Sequence, residues 1–219
     1  VVNEATFSLE LKNLRKISDK EWQSLRGKEI AMVFQEPLTS LNPVLSIGYQ
    51  MTEMLTLHMG FGKEEAYFKA IELLKKVKIP NPEVVFESYP HQLSGGMRQR
   101  VMIAMSLSCN PKLLILDEPT TALDTTIQAQ ILDLILEIKR ETSLTAILIT
   151  HDLAIVEEIA DEVAIMYAGK IVEFSGKEEI FENPLHPYTQ GLLSCIPEMG
   201  KPKVLLRAIS GQVPEAINK

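Results

Sequence analysis

The stretch Leu113-Leu114-Ile115-Leu116-Asp117-Glu118-Pro119-Thr120 decides the fold. Four apolar residues run without interruption into two adjacent carboxylates and a proline. An apolar run of this length, closed by a chain breaker, suits a short strand buried on both faces, as in a parallel sheet. Two other runs have the same form: Ile30-Ala31-Met32-Val33-Phe34 before Gln35, and Ala146 to Ile149 before Thr150-His151. Thr126 to Arg140 places Ile127, Ile131, Leu134, Ile135 and Ile138 on one helical stripe, which predicts a strand-helix-strand unit. In open α/β sheets ligands gather at the carboxyl ends of strands. Gln35, Asp117, Glu118 and His151 all sit at such ends.

Outward from this centre the text changes. From Ile47 to Tyr89 it is helical, clearest over Lys63 to Lys78, where Ala66, Ala70, Ile71, Leu74 and Val77 recur at turn spacing. Pro80, Pro82 and Pro90 bracket the far side of this inserted lobe. After His151 a further helix is expected to Ala160. A hairpin follows, Val163 to Tyr167 and Ile171 to Phe174 around Ala168-Gly169. The tail from Lys177 is broken by Pro184, Pro187, Pro197, Pro202 and Pro214.

Bulk composition narrows the function classes. The chain has 219 residues, 46% of them hydrophobic, enough for one substantial core or a core and a smaller lobe. A formal net charge of -7 opposes binding to phosphate backbones, so nucleic acid is not an expected partner. The two cysteines, Cys109 and Cys195, lie far apart and off metal-ligand spacing, which suits a reducing compartment and a cytoplasmic chain. No apolar run approaches the roughly 20 residues of a membrane span, so contact with a membrane is expected through a partner.

Three groups of residues are suited to chemistry. Leu93-Ser94-Gly95-Gly96-Met97-Arg98-Gln99-Arg100 precedes a run of helix formers. Ser94 is therefore placed to cap a helix whose first turn exposes backbone N–H groups to an anion. Asp117 and Glu118 can divide the two carboxylate tasks of phosphoryl transfer, holding Mg²⁺ and orienting or deprotonating the attacking water. His151 can donate to a terminal phosphate, and Gln35 can touch the metal or the water. Each pattern in isolation also has a plainer reading, as a helix cap, an acidic helix start or a polar strand end.

Taken in order, these strings resemble the ABC ATPase family over nearly the whole chain. Leu93 to Gln99 resembles the ABC signature, Leu113 to Glu118 the Walker B strand, and Thr121-Ala122-Leu123-Asp124 the D-loop. Thr150-His151-Asp152 resembles the switch-histidine loop and Val33-Phe34-Gln35 the Q-loop. Gln35-Glu36-Pro37-Leu38-Thr39-Ser40-Leu41-Asn42-Pro43 and Asn183-Pro184-Leu185-His186-Pro187-Tyr188-Thr189 resemble the dipeptide/oligopeptide importer branch, which includes nickel importers.

The resemblance implies an α/β fold of P-loop NTPase type: a mostly parallel sheet core with an inserted helical subdomain, here without the N-terminal strands and the P-loop. The implied division is a partial core over 1–46 and 91–180, a helical lobe over 47–90, and a partial C-terminal extension over 181–219. The implied cofactors are ATP and Mg²⁺. Catalytic roles fall to Glu118, His151 and Gln35, and metal contacts to Asp117 and Gln35. Ser94, Gly95, Gly96 and Gln99 are implied to serve the ATP of a second, homologous or identical ATPase subunit, with Asp124 at the dimer contact. Membrane permeases, and through them a peptide-binding protein, are the other implied partners, at the cytoplasmic face of the membrane.

One family element has no counterpart. None of the Gly-Lys pairs, at Gly27, Gly62, Gly169, Gly176 and Gly200, has a glycine five residues before it, as Gly-x-x-x-x-Gly-Lys-Ser/Thr requires. Val1-Val2-Asn3 carries no initiator Met, Thr6 to Lys28 resembles text just after the missing loop, and relatives continue beyond Gly211-Gln212-Val213-Pro214. The expectation is a chain cut at both ends that does not hydrolyse ATP alone. The alternatives are a natural non-catalytic partner lending only its signature face, and a soluble ABC protein outside transport.

Overall fold

The computed structural model describes residues 8–9, 12–35, 40–121, 123–142 and 144–195. They form two compact units, one ending at Ile149 and one beginning at Thr150. The readings placed on Val1-Val2-Asn3, on Glu36 to Thr39, on Ala122 and on the tail beyond Cys195 lie outside the described residues.

The first unit opens with a short antiparallel pair, β1 (Ser8–Leu9) and β2 (Lys12–Asn13), and helix α1 (Asp19–Leu25). Ser18 starts α1 with a reciprocal capping box to Glu21. Strand β3 (Ile30–Val33) leads to the helical lobe, α2 (Ile47–Met59), α3 (Lys63–Lys76) and α4 (Pro82–Glu87). Helix α5 (Gly95–Leu107), strand β4 (Leu113–Asp117), helix α6 (Thr125–Glu141) and strand β5 (Thr145–Ile149) complete it. The three strands form a parallel sheet in the order β3-β4-β5, with Val33 beside Leu116 and Asp117 beside Ile149. The strand-helix-strand reading holds. Helix α3 stops short of the expected Lys78, which instead takes φ +59° just past the helix end.

Ala31, Val33, Leu114 and Leu116 share one core with Ile131, Leu134, Ile135 and Ile138 of α6 and with Ile47, Met51, Leu55 and Leu74 of the lobe. Each large side chain buried here contributes about 1.5–3 kcal/mol. The expectation of strands buried on both faces is corrected. Burial alternates along β3 and β4, and on the opposite face Met32, Ile147 and Ile149 are 37%, 48% and 47% exposed. A continuous apolar run shows that a strand is apolar, whereas coverage depends on what packs against it.

Inside the lobe the buried Gln50 amide is fully used. Its Oε1 accepts from Asn42 N–H at 2.8 Å, and its Nε2 donates to the carbonyls of Asn42 and Leu45, both at 3.1 Å. It thereby ties the end of the Gln35–Pro43 string to α2. Gln50→Ala leaves these backbone groups without partners and is expected to destabilise by about 1–3 kcal/mol in a urea titration.

The second unit holds α7 (Leu153–Ile159), β6 (Glu162–Tyr167), β7 (Lys170–Gly176), α8 (Lys177–Glu182) and α9 (Pro187–Leu193). The hairpin turns at Ala168 and Gly169, whose φ values of +48° and +76° suit the tight turns that match strand twist. Val163, Ile165 and Ile180 form its core, against which Phe181, Tyr188 and Leu192 pack.

The Asn183–Thr189 string has a structural task here. Glu173 of β7 accepts from Leu185 N–H at 2.7 Å and His186 N–H at 3.1 Å, fastening the start of α9 to the hairpin. Burial works against the charged carboxylate, but the nearby Thr189 hydroxyl and these two N–H groups outweigh it and hold Glu173 below the usual carboxylate range. A depressed folded-state pKa gives stabilisation that is present above the ordinary value of about 4.3 and lost as pH falls through the folded value. Acid titration followed by Tyr fluorescence is expected to show this loss, and Glu173→Gln to remove that part of the pH dependence.

Candidate functional site

The carboxyl ends of β3 and β4 converge on Glu118. Gln35 Nε2 donates to Glu118 Oε2 at 2.8 Å, and Thr121 Oγ1 donates to the same oxygen at 2.8 Å. The Glu118 backbone takes φ +44° and its N–H donates to Ile149 O at 2.9 Å. A non-glycine residue in the left-handed region costs about 1–3 kcal/mol and persists only where its surroundings hold it. Here the β5 carbonyl and the two side-chain donors hold it, so the carboxylate is aimed in advance. Asp117 is the last residue of β4, directly before it. Gln35 and Glu118 are 83 positions apart, and Thr121 was not singled out from sequence.

An oxygen-only donor set suits a hard divalent cation that keeps part of its water shell. Gln35 spends its Nε2 on Glu118, which leaves Oε1 for such a cation. Among the described residues no group of three or more His, Cys, Asp and Glu side chains is placed to hold a metal ion. A cation here would therefore need oxygens from a ligand beyond those the described side chains offer.

A second surface of the same unit is built on the starts of α5 and α6. Ser94 caps α5, its Oγ accepting from Met97 N–H at 3.3 Å, so its own O–H stays available to a ligand. Asp124 caps α6 in the same way, accepting from Ile127 N–H at 3.0 Å. Both starts line a concavity of about 560 Å³ that also takes in Lys78, Pro80, Arg100 and Gln130.

The two glycines differ. A Cβ on Gly96 would lie 2.7 Å from Ile127 Cγ2, so the crossing of α5 and α6 requires glycine there. A Cβ on Gly95 would meet only Leu123 Cδ2, at 3.6 Å, an ordinary contact. The space in front of Gly95 is therefore not needed by the fold.

Gln99 stands apart from the other residues expected at this surface. It does not line the concavity, and its side chain is 1% exposed with Nε2 unpartnered among the described residues. Successive helix positions turn by about 100°, which carries Gln99 inward while Gly96 and Arg100, one turn apart, stay on the concave side. His151 lies two residues past the end of β5 in sequence and belongs to the second unit, where Thr150 Oγ1 accepts from Asp152 N–H at 3.1 Å.

The model of the ABC transporter family matches residues 6–121, more than half of the chain. The chain belongs to the ABC transporter family. Residues 172–219 match the C-terminal region of oligopeptide/dipeptide transporters. This ABC chain is 50% identical over 217 residues to the oligopeptide transport ATP-binding protein AppD of Bacillus subtilis, covering 99% of itself and 66% of that protein. It is 52% identical over 202 residues to the dipeptide transport ATP-binding protein DppD of Escherichia coli, covering 92% of itself and 62% of that protein. It spans less than two thirds of the length of either relative.

Among solved structures, a dimeric ATP-binding cassette in a post-hydrolysis state, bound to ADP and Pi, matches with a TM-score of 0.68 at 26% identity. The match covers 77% of this chain and 72% of that one. The α/β cassette fold and the resemblance to the dipeptide and oligopeptide branch thus both stand. Among the described residues no helix is long and apolar enough to cross a membrane.

Proposed function

We propose that this chain serves as an ATP-binding and ATP-hydrolysing subunit of a di- or oligopeptide importer, working beside a second ATPase subunit and membrane permeases at the cytoplasmic face of the membrane. The observation that carries this reading is the aimed Glu118 carboxylate, held by Gln35 and Thr121 at the end of β4, where it can meet an attacking water molecule. Glu118 takes the proton of that water as it attacks the terminal phosphate, and Gln35 orients it. Asp117 and Gln35 hold Mg²⁺, which when bound offsets charge on the phosphates. The role of His151 as a hydrogen-bond donor to the terminal phosphate rests on its place in Thr150-His151-Asp152.

Ser94, Gly95 and Gly96 offer a hydroxyl and the first N–H groups of a helix to the phosphates of the neighbouring subunit's ATP. Asp124 stands at the contact between subunits while capping its own helix. The core over 1–46 and 91–180, the helical lobe over 47–90 and the extension over 181–219 are functional divisions of this proposal. With no Gly-x-x-x-x-Gly-Lys-Ser/Thr among its 219 residues, the chain by itself is proposed not to turn ATP over.

Uptake of a labelled dipeptide and of a labelled oligopeptide by vesicles carrying the importer tests the transport reading. ATP-dependent uptake of either peptide, lost in the Glu118→Gln importer, supports it. Nickel uptake without peptide uptake, or an importer indifferent to Glu118→Gln, overturns it.

A further inference from the structure

The concavity in front of Ser94 and Gly95 is lined, one turn deeper, by a polar tie. Arg100 of α5 donates from Nη1 to Val77 O at 2.9 Å and from Nη2 to Gln130 Oε1 at 3.0 Å. Val77 is the C-cap of α3, whose last carbonyls have no partner within the helix, and a guanidinium there also meets the negative end of the helix dipole. Gln130 stands on α6. One side chain thus joins three helices.

Its place along α5 gives the tie its consequence. Gly96, one turn before Arg100, has Ile127 where a Cβ would lie, and Ile127 stands one turn before Gln130. The two contacts are successive rungs between α5 and α6. The first is steric and permits only glycine; the second is a hydrogen bond that opposes sliding or rotation of one helix against the other. Immediately beyond the first rung lie the caps Ser94 and Asp124. Farther along α6, Lys78 pairs with Glu137 and Lys76 with Glu141, but these pairs are exposed and contribute little.

We propose that Arg100 and Gln130 are positioning residues that set the spacing between the Ser94–Gly96 turn and the Asp124 turn, an inference that rests on the reading of this face as one that binds a neighbour's nucleotide. They act by fixing where the Ser94 hydroxyl and the Gly95 and Gly96 N–H groups stand, and small misplacements of such groups lower turnover steeply.

Gln130 is exposed, so Gln130→Ala leaves the core intact, and Gln130→Glu keeps an acceptor for Arg100. Two measurements separate the outcomes. In the purified chain, hydrogen exchange at the capped amides of Met97, Arg98, Ile127 and Gln128 is expected to rise in Gln130→Ala and return to the unsubstituted rate in Gln130→Glu. In a mixture with a neighbouring subunit whose own signature is disabled, Gln130→Ala is expected to lower maximal turnover about threefold to tenfold, with half-saturating ATP unchanged and Gln130→Glu restoring it. Unchanged exchange in Gln130→Ala overturns the tie. Altered exchange with undiminished turnover overturns its bearing on the reaction. If the unsubstituted chain also fails to support turnover, the reading of the face fails, and the exchange result still decides the tie.

Discussion

Glu118→Gln is expected to lower ATP turnover by the assembled importer about 10²–10⁴-fold, the range a positioned general base contributes, while nucleotide binding persists. A glutamine has nearly the shape of the glutamate but cannot accept the water's proton. It also has an amide nitrogen that opposes the donors of Gln35 and Thr121 in one of its two orientations, where the carboxylate accepts from both. Steady-state phosphate release measures the first effect and equilibrium binding of labelled ATP the second. Loss of binding in parallel with turnover would instead mean that Glu118 supports the fold of the strand end, a real alternative for a residue at φ +44°.

The second large effect separates two neighbouring glycines. Gly95→Ala is expected to leave the melting temperature unchanged or slightly raised, since the added methyl meets only Leu123 at 3.6 Å and alanine restricts the unfolded chain. The same methyl occupies the approach to the first N–H groups of α5, and turnover at the neighbour's site is expected to fall about 10–10²-fold, toward the cost of losing one fixed donor. Gly96→Ala is expected to destabilise by about 1–3 kcal/mol, because the methyl lands 2.7 Å from Ile127 Cγ2 on a stiff β-branched side chain. Thermal melts and turnover of both variants, measured together, therefore distinguish a glycine kept for a ligand from one kept for packing.

The parts of the fold that were legible are those written in local pattern. The apolar runs at Ile30, Leu113 and Ala146 became β3, β4 and β5, and the stripe from Ile127 to Ile138 became the core-facing side of α6. The end of α3 was misjudged because Val77 continues the apolar spacing while the backbone has already turned at Lys78. Coverage of the sheet was misjudged for a different reason: side-chain polarity is a property of the strand, and burial is a property of its neighbours. Local text also could not reveal Thr121 and Gln35 on one carboxylate oxygen, Gln50 on Asn42, or Arg100 between Val77 and Gln130. These pairings depend on tertiary placement, and polar residues of this kind are ordinary in any exposed loop or helix. Gln99 illustrates the converse. It stood inside a conspicuous string, yet helical rotation buries it, while Arg100 at the edge of that string faces the concavity.

On the proposed function, the Ser94–Gly96 face completes an ATP site carried by a neighbouring subunit. The most direct test adds the 219-residue chain, which alone is expected to show no Mg-ATP turnover, to the partner ATPase subunit of the same importer with its own signature serine and glycines replaced. Turnover that appears on mixing, saturates with added chain and falls about 10–10²-fold with Gly95→Ala is the predicted result. No turnover on mixing, turnover indifferent to Gly95→Ala, or turnover by the chain alone that disappears in Glu118→Gln would contradict the account.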